Sequence, residues 1–291
     1  MNISLGDALR KAVQCLTGHG VVEPRPDAEV LLAHVLMLPR SFLYLEARRL
    51  LTAVQYERYM TCLMRRKHGE PVQYITGQQE FWSLEFEVTP DVLIPRPESE
   101  LLVEHGGRFL AQWEARQQAA PCFLDVGTGS GCVAISLAHA FPQSRGWGGD
   151  IALQALQVAR RNAHRLGVLA RVGWVCGDLV TSFQGGRACF ALCVANLPYV
   201  TLAEWHQLPR EIRDYEPRHA LVGGRDGLDL IRRLVATSPE VLAPGGTLLL
   251  EVGWQQAAAV VEIVRQRSQF QAVGVFQDVA GIARIVWANM P

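Results

Sequence analysis

The chain has 291 residues, 28 basic against 28 acidic side chains, and 49% apolar residues, which excludes a disordered tail of high net charge. Its 26 Gly and 15 Pro exclude a collagen-like or low-complexity repeat. Zero net charge gives no basic surplus of the kind that neutralises phosphates, so no direct nucleic-acid partner is expected.

At roughly 100 to 200 residues per domain, the length predicts one large domain and a smaller one. Seven cysteines, an odd number, are scattered and mostly embedded in apolar runs such as 188–195. They read as buried free thiols in a reducing compartment. No CxxC pair and no histidine pair at ligand spacing occurs, so no metal site is predicted. With neither a signal-peptide pattern nor an apolar run of about 18 residues, a cytoplasmic protein without membrane contact is expected.

Residues 1–80 carry helical spacing: Leu5, Leu9, Val13 and Leu16, then Leu31, Val35 and Leu38. Pro26 with Asp27 suits a helix start. The stretch 53–68 ends in Arg65-Arg66-Lys67-His68, cations that suit a helix C-terminus. From Phe81 to Ile94 the pattern alternates, with Trp82, Leu84, Phe86 and Val88 on one face, which predicts a hairpin or linker over 81–97. Helical spacing resumes at Glu98, and 98–291 reads as the larger domain. Beyond residue 120, strands are predicted at 122–126, 146–149, 171–176, 190–195, 247–252, 272–276 and 282–287. Helices are predicted at 132–140, 153–166, 228–242 and 255–266. This alternation predicts an α/β fold with a doubly wound, mostly parallel sheet, and ligands at the C-terminal strand ends.

The first such end is Asp125-Val-Gly127-Thr128-Gly129-Ser130-Gly131, where an apolar strand turns into a helix. Glycines there let a ligand approach the backbone at a helix N-terminus. The spacing is G-x-G-x-G. A dinucleotide fingerprint needs glycine at 132, where Cys132 stands. The next strand ends in Asp150, able to accept from both hydroxyls of a ribose or to cap the following helix. The third ends in Gly177-Asp178-Leu179, positioned to edge an adenine ring, although Asp178 suits a helix cap still better than Asp150 does.

A fourth strand ends in Asn196-Leu197-Pro198-Tyr199. The Asn196 side-chain oxygen and the Leu197 carbonyl can accept from a planar NH2 group, and Tyr199 can pack on its face. The alternative is an Asx-type turn in which Pro198 stops the strand.

Asp125 to Gly131, Asp150 and Asn196 to Tyr199 together resemble the class I S-adenosylmethionine-dependent methyltransferases, whose sheet is seven-stranded. The chain is more specifically similar to the release-factor glutamine methyltransferases, the HemK/PrmC family. The segments that carry this are 71–77, Ile94-Pro-Arg-Pro-Glu-Ser-Glu100, 215–217 with 220–228, and Glu251-Val-Gly253. Two positions depart from the family pattern. Leu197 stands where Pro is usual, which preserves the backbone carbonyl while loosening the turn, and Ser99 stands where Thr is common, which preserves the hydroxyl.

The resemblance implies S-adenosyl-L-methionine as cofactor, with Gly127 to Gly131 at its methionine end, Asp150 at the ribose, Leu179 at the adenine face and Asp178 near its edge. It implies methyl transfer to the N5 of the glutamine in the Gly-Gly-Gln motif of a peptide chain release factor, gripped by residues 1–80 and the 94–100 segment. An amide nitrogen is a poor nucleophile, so orientation by Asn196 and Leu197 supplies most of the catalysis, worth about 7 to 11 kcal/mol at the ideal limit. An adenine-N6 methyltransferase acting on RNA or DNA uses the same platform and is the alternative. Arg96 and Glu98 read either as an interdomain salt bridge or as groups near the substrate, Glu216 as a brace, and the protein as a monomer.

Overall fold

The computed structural model describes residues 3–185 and 188–291. The chain divides into two compact units, one comprising residues up to Gln78 together with Pro209–Tyr215, the other Gln79–Leu208 with Glu216–Pro291.

The first unit is helical: Leu5–Gly18 (α1), Pro24–Leu36 (α2), Arg40–Leu45 (α3), Ala53–Lys67 (α4) and Val72–Thr76 (α5). Ser4 caps α1 by accepting from the Asp7 N–H, and Thr52 with Gln55 forms a capping box on α4. Leu5, Ala8, Ala12 and Leu16 face a core shared with Leu31, Leu32, Tyr59 and Leu63. The second helix starts at Pro24, two residues before the Pro26-Asp27 start, because Pro24 already satisfies the first turn, where no N–H partner is needed. The basic cluster closes α4 as expected. Within it Arg66 is buried and paired with Asp27 (2.6 Å) and Glu211 (2.7 Å).

Gln78–Phe81 (β1) and Leu84–Glu87 (β2) form a hairpin. Trp82 and Ser83, at φ +52° and +58°, are its turn, so Trp82 does not continue the alternating face. Phe81, Phe86 and Val88 are the buried members.

In the second unit come Glu100–Gln117 (α6), Cys122–Val126 (β3), Cys132–Ala140 (α7), Arg145–Asp150 (β4), Leu153–Arg165 (α8), Val172–Cys176 (β5) and Phe190–Ala195 (β6). Leu202–Trp205 (α9) follows β6, and Arg210–Arg213 (α10) falls in the segment grouped with the helical unit. Asp229–Thr237 (α11), Leu242–Glu251 (β7), Ala257–Arg265 (α12), Ala272–Gln277 (β8) and Ala283–Asn289 (β9) complete the unit. The helix expected over 228–242 stops at Thr237, because Pro239 cannot donate to the helical ladder and opens a short 3-10 turn instead. The following strand therefore begins at Leu242, five residues earlier than the sequence pattern predicts.

The seven strands run β5-β4-β3-β6-β7-β9-β8, parallel except where β9 meets β7 and β8. This is the α/β, doubly wound, mostly parallel sheet that the alternation predicts. Strand alternation sends Leu192 and Val194 into the layer with Leu102, Leu110 and Ile135, and Cys193 and Ala195 into the layer with Ile231, Leu234 and Val260. Of the cysteines only Cys193 is buried. Cys176 ends the edge strand β5 and Cys189 precedes β6, and both are exposed. All seven thiols are free. No helix among the described residues is long and apolar enough to cross a membrane.

Candidate active site

Register aligns the strand ends. Val126 pairs with both Gly149 and Ala195, Asp150 with Cys176, and Ala195 with Leu250, so the loops after β3, β4, β5, β6 and β7 emerge side by side. Strand order reverses beside β3, the place where an open α/β sheet leaves a crevice. A cavity of about 290 Å³ lies there.

Gly127, Thr128, Gly129 and Ser130 line the cavity, as do Asp150, Asp178, Leu179, Asn196, Leu197 and Pro198. Gly131 and Tyr199 are not among the lining residues. Gly131 serves the packing beneath: it caps α7 at φ +80°, and a Cβ there would lie 2.9 Å from Ile135 and 3.1 Å from Ala159 and Trp174. Tyr199 turns its hydroxyl to Glu251 Oε1 (3.4 Å), while its carbonyl accepts from Gln256 Nε2 (3.0 Å).

The loop is held by acids. Asp125 is fully buried and accepts from the Thr128 hydroxyl (2.7 Å) and the Ala134 N–H (3.1 Å). Burial pushes its carboxyl up to about 7 against those two hydrogen bonds. Asp150 accepts from the Gly129 N–H (2.9 Å) through one oxygen and from the Ala152 N–H (2.9 Å) through the other. It thus braces both the glycine turn and the start of α8, and each oxygen keeps a second acceptor site. Asp178 is paired with Arg233 at 2.5 Å. The Ser130 hydroxyl is buried beside the Cys132 thiol and has no other hydrogen-bond partner among the described residues.

At the end of β6 the Asn196 Nδ2 donates to Ser99 Oγ (2.9 Å), and Ser99 Oγ donates to Glu251 Oε2 (2.6 Å). Ser99 and Glu251 are both buried. Burial, with the Glu98 charge adding, pushes the Glu251 carboxyl up to about 7 against bonds from Ser99 and Tyr199. The Asn-Leu-Pro-Tyr turn is pressed from outside by 220–224: Gly223 donates to the Val200 carbonyl (2.9 Å), and a Cβ on it would lie 2.1 Å from the Pro198 carbonyl oxygen. Leu197 is buried in the core, its side chain beneath Gly127, so Leu in place of Pro fills space at the turn.

Arg96 donates to Glu216, not Glu98, and Glu216 also accepts from the Ile94 N–H (3.1 Å), which makes Glu216 the brace of the 94–100 segment. Arg96 lines the cavity with Asp91, His219 and Arg233, none of which the motifs single out. Glu251 belongs to the Glu251-Val-Gly253 segment of the resemblance, which assigns it no role.

The pattern of the PrmC N-terminal domain matches residues 7–77, and that of a methyltransferase domain matches 123–215. The chain is 42% identical over 289 residues to the release factor glutamine methyltransferase of Koribacter versatilis, covering 99% of each chain. This chain belongs to the release factor glutamine methyltransferase family. The relative in Chlorobaculum tepidum is 41% identical, covering 94% of this chain and 93% of its own. In Vibrio cholerae the identity is 36%, with 98% and 96% covered. Among solved structures, a methyltransferase from Pyrococcus furiosus aligns at TM-score 0.51 and 16% identity, over 78% of this chain and 96% of that one. The Thermus thermophilus 16S rRNA N2 G1207 methyltransferase, solved with AdoMet and guanosine, aligns at TM-score 0.52 and 18% identity, over 74% and 50%. Both share the fold. Family membership makes the chain a methyltransferase and the cavity its candidate active site.

Proposed function

We propose that the chain transfers a methyl group from S-adenosyl-L-methionine to N5 of the glutamine in the Gly-Gly-Gln motif of a peptide chain release factor. The observation that carries this is Asn196. Its Nδ2 is given to Ser99, which leaves Oδ1 as an acceptor beside the cavity under the glycine turn. Relatives at 36 to 42% identity named release factor glutamine methyltransferase support the acceptor class.

The residues present suit the cofactor. Asp150 offers spare acceptor sites for a ribose, and the glycine turn, where a Cβ on Gly129 would meet nothing within 4 Å, leaves room for the cofactor against the backbone. Leu179, at φ +52°, and Asp178 both line the cavity, where Leu179 would take the adenine face and Asp178 its edge. When bound, the cofactor would supply an electrophilic methyl sulfonium as the methyl donor, with the thioether as leaving group and the displaced amide proton passing to water.

Asn196 Oδ1 and the Leu197 carbonyl each accept one N–H of the glutamine NH2, aiming the nitrogen lone pair at the methyl carbon. No hydrogen bond within the described residues occupies the Leu197 carbonyl. Pro198 stiffens the turn, and Tyr199 supports it from behind. Residues 1–80 recognise the release factor, 81–97 serve as hairpin and linker, and 98–291 carry the chemistry.

Incubating the enzyme and labelled S-adenosyl-L-methionine with a release factor and, in parallel, with RNA, then locating the label by mass spectrometry, tests the proposal. One methyl on the Gly-Gly-Gln glutamine is expected. Label on an RNA adenine instead of the factor would transfer the reading to nucleic acid.

A further inference from the structure

An asparagine amide is nearly isosteric when turned end for end. The catalytic reading requires its oxygen toward the acceptor NH2, since a flipped amide would set donors against donors. Something must hold the correct end outward. Ser99 Oγ accepts from Asn196 Nδ2 at 2.9 Å, and it donates its single proton to Glu251 Oε2 at 2.6 Å. Ser99 is 3% exposed and Glu251 2%, so water does not compete for either group.

The proton order follows from the inventory of donors. An ionised carboxylate only accepts, so the Ser99 hydrogen is directed at Glu251 and a serine lone pair is left facing Asn196. That lone pair accepts only from the NH2 end of the amide. The other carboxylate oxygen accepts from Tyr199, whose position is fixed in turn by Gln256. A donated Nδ2 proton also polarises the amide, which strengthens Oδ1 as an acceptor.

We propose that Ser99 and Glu251 are positioning residues, a hydroxyl-carboxylate pair that fixes the orientation of the Asn196 amide and thereby the acceptor geometry of methyl transfer. The inference rests on the function proposed above. Glu251 lies outside the cavity lining, and Ser99, which lines it, has its hydroxyl engaged by Asn196 and Glu251, so the pair is inferred to act through Asn196.

Protonation of Glu251 removes the compulsion, because a carboxylic acid can donate to Ser99 and free the serine hydrogen for Asn196 Oδ1, the wrong end. Burial raises this carboxyl to about 7, with Glu98 adding to the rise and Arg284 opposing it; Tyr199, Cys132 and Arg96 are the other ionisable groups nearby. Turnover is therefore expected to rise with pH through neutrality, as Glu251 ionises.

The test compares wild type with Ser99→Thr, Ser99→Ala and Glu251→Gln. Release-factor methylation is followed at saturating cofactor across pH 5.5 to 9, together with the Asn196 side-chain NH2 resonances, assigned by their loss in Asn196→Ala. S99T keeps the hydroxyl and is expected within about threefold of wild-type kcat. S99A and E251Q are expected to lose tenfold or more in kcat, with the KM for S-adenosyl-L-methionine within about twofold. E251Q is further expected to lose the rise with pH, and both are expected to shift the Asn196 NH2 resonances. Wild-type kcat in S99A, an equal loss in S99T and S99A, or unmoved resonances would overturn the inference. If S99A fails to fold, E251Q carries the same readings. Absence of wild-type transfer to the release factor would instead overturn the proposed acceptor, and the resonances would still report whether the pair holds the amide.

Discussion

Glu29 in α2 and Glu251 at the end of β7 are each 2% exposed, yet their surroundings are opposite. Glu29 accepts from Arg25 (3.0 Å), Arg40 (2.6 Å) and Tyr44 (2.6 Å); burial raises its carboxyl, and these donors outweigh that and hold it below the ordinary value. Glu251 has only the hydroxyls of Ser99 and Tyr199, makes no ion pair among the described residues, and is pushed up to about 7. Asp125 is in the same position beneath the glycine turn. In the helical unit a buried carboxylate is a neutralised piece of framework. In the sheet unit Glu216 is likewise paired, with Arg96, but Asp125 and Glu251 are kept with neutral partners at a cost in stability, which points to work at the site.

Substitutions in the sheet unit should therefore strike chemistry and those in the helical unit stability. The largest effect is expected for Asn196→Ala: a loss of about 100- to 1,000-fold in kcat, the scale of removing one aimed hydrogen-bonding group. Calorimetry should find its affinity for S-adenosyl-L-methionine within about threefold of wild type, and unchanged methyl transfer would end the assigned role. Asp150→Ala comes next, with cofactor binding weaker by about tenfold or more and kcat recovered at saturation. A defect confined to kcat would count against the ribose contact.

The third prediction concerns pH. The unfolded chain releases the Asp125 proton near pH 4, while the native chain holds it until about 7. Between these values the native state binds the extra proton, so stability falls as pH rises through that window and levels above it. Glu251 adds a fall of the same sign. Asp125→Asn should remove a few kcal/mol of that decline, on the order of two pKa units or more. Urea unfolding from pH 5 to 8 measures it, and an unchanged slope would show that Asp125 titrates normally.

The smallest effect is expected for Glu29→Ala. Arg25 and Arg40 are half exposed or more, so the loss lies between that of a surface and a buried pair, about 1 to 2 kcal/mol. Turnover at saturating substrates should stay within about twofold. A large loss of turnover in a stably folded variant would erase the distinction between the units.

The strands at 122–126 and 190–195 and the helix at 132–140 were legible because each is a short apolar run bounded by glycine, proline or asparagine. The glycine turn, Asp150 and Asn196 stood out for the same reason: each interrupts such a run. Gly131 and Tyr199 stood in the same motifs, but packing draws them out of the cavity lining, one onto Ile135 and Trp174, the other toward Glu251. The start of β7 was missed because the apolar pattern runs on past Pro239 without a change of period.

The sequence by itself determined the alternation of strands and helices, the helical spacing of the N-terminal stretch and the family, because local periodicity and short motifs are properties of neighbours along the chain. Tertiary structure alone decided that Ser99 and Glu251, 152 residues apart, meet beside Asn196, and that Arg96 takes Glu216 rather than nearby Glu98. Those pairings depend on strand register and on which buried acids find a cation, and neither is written in any one segment.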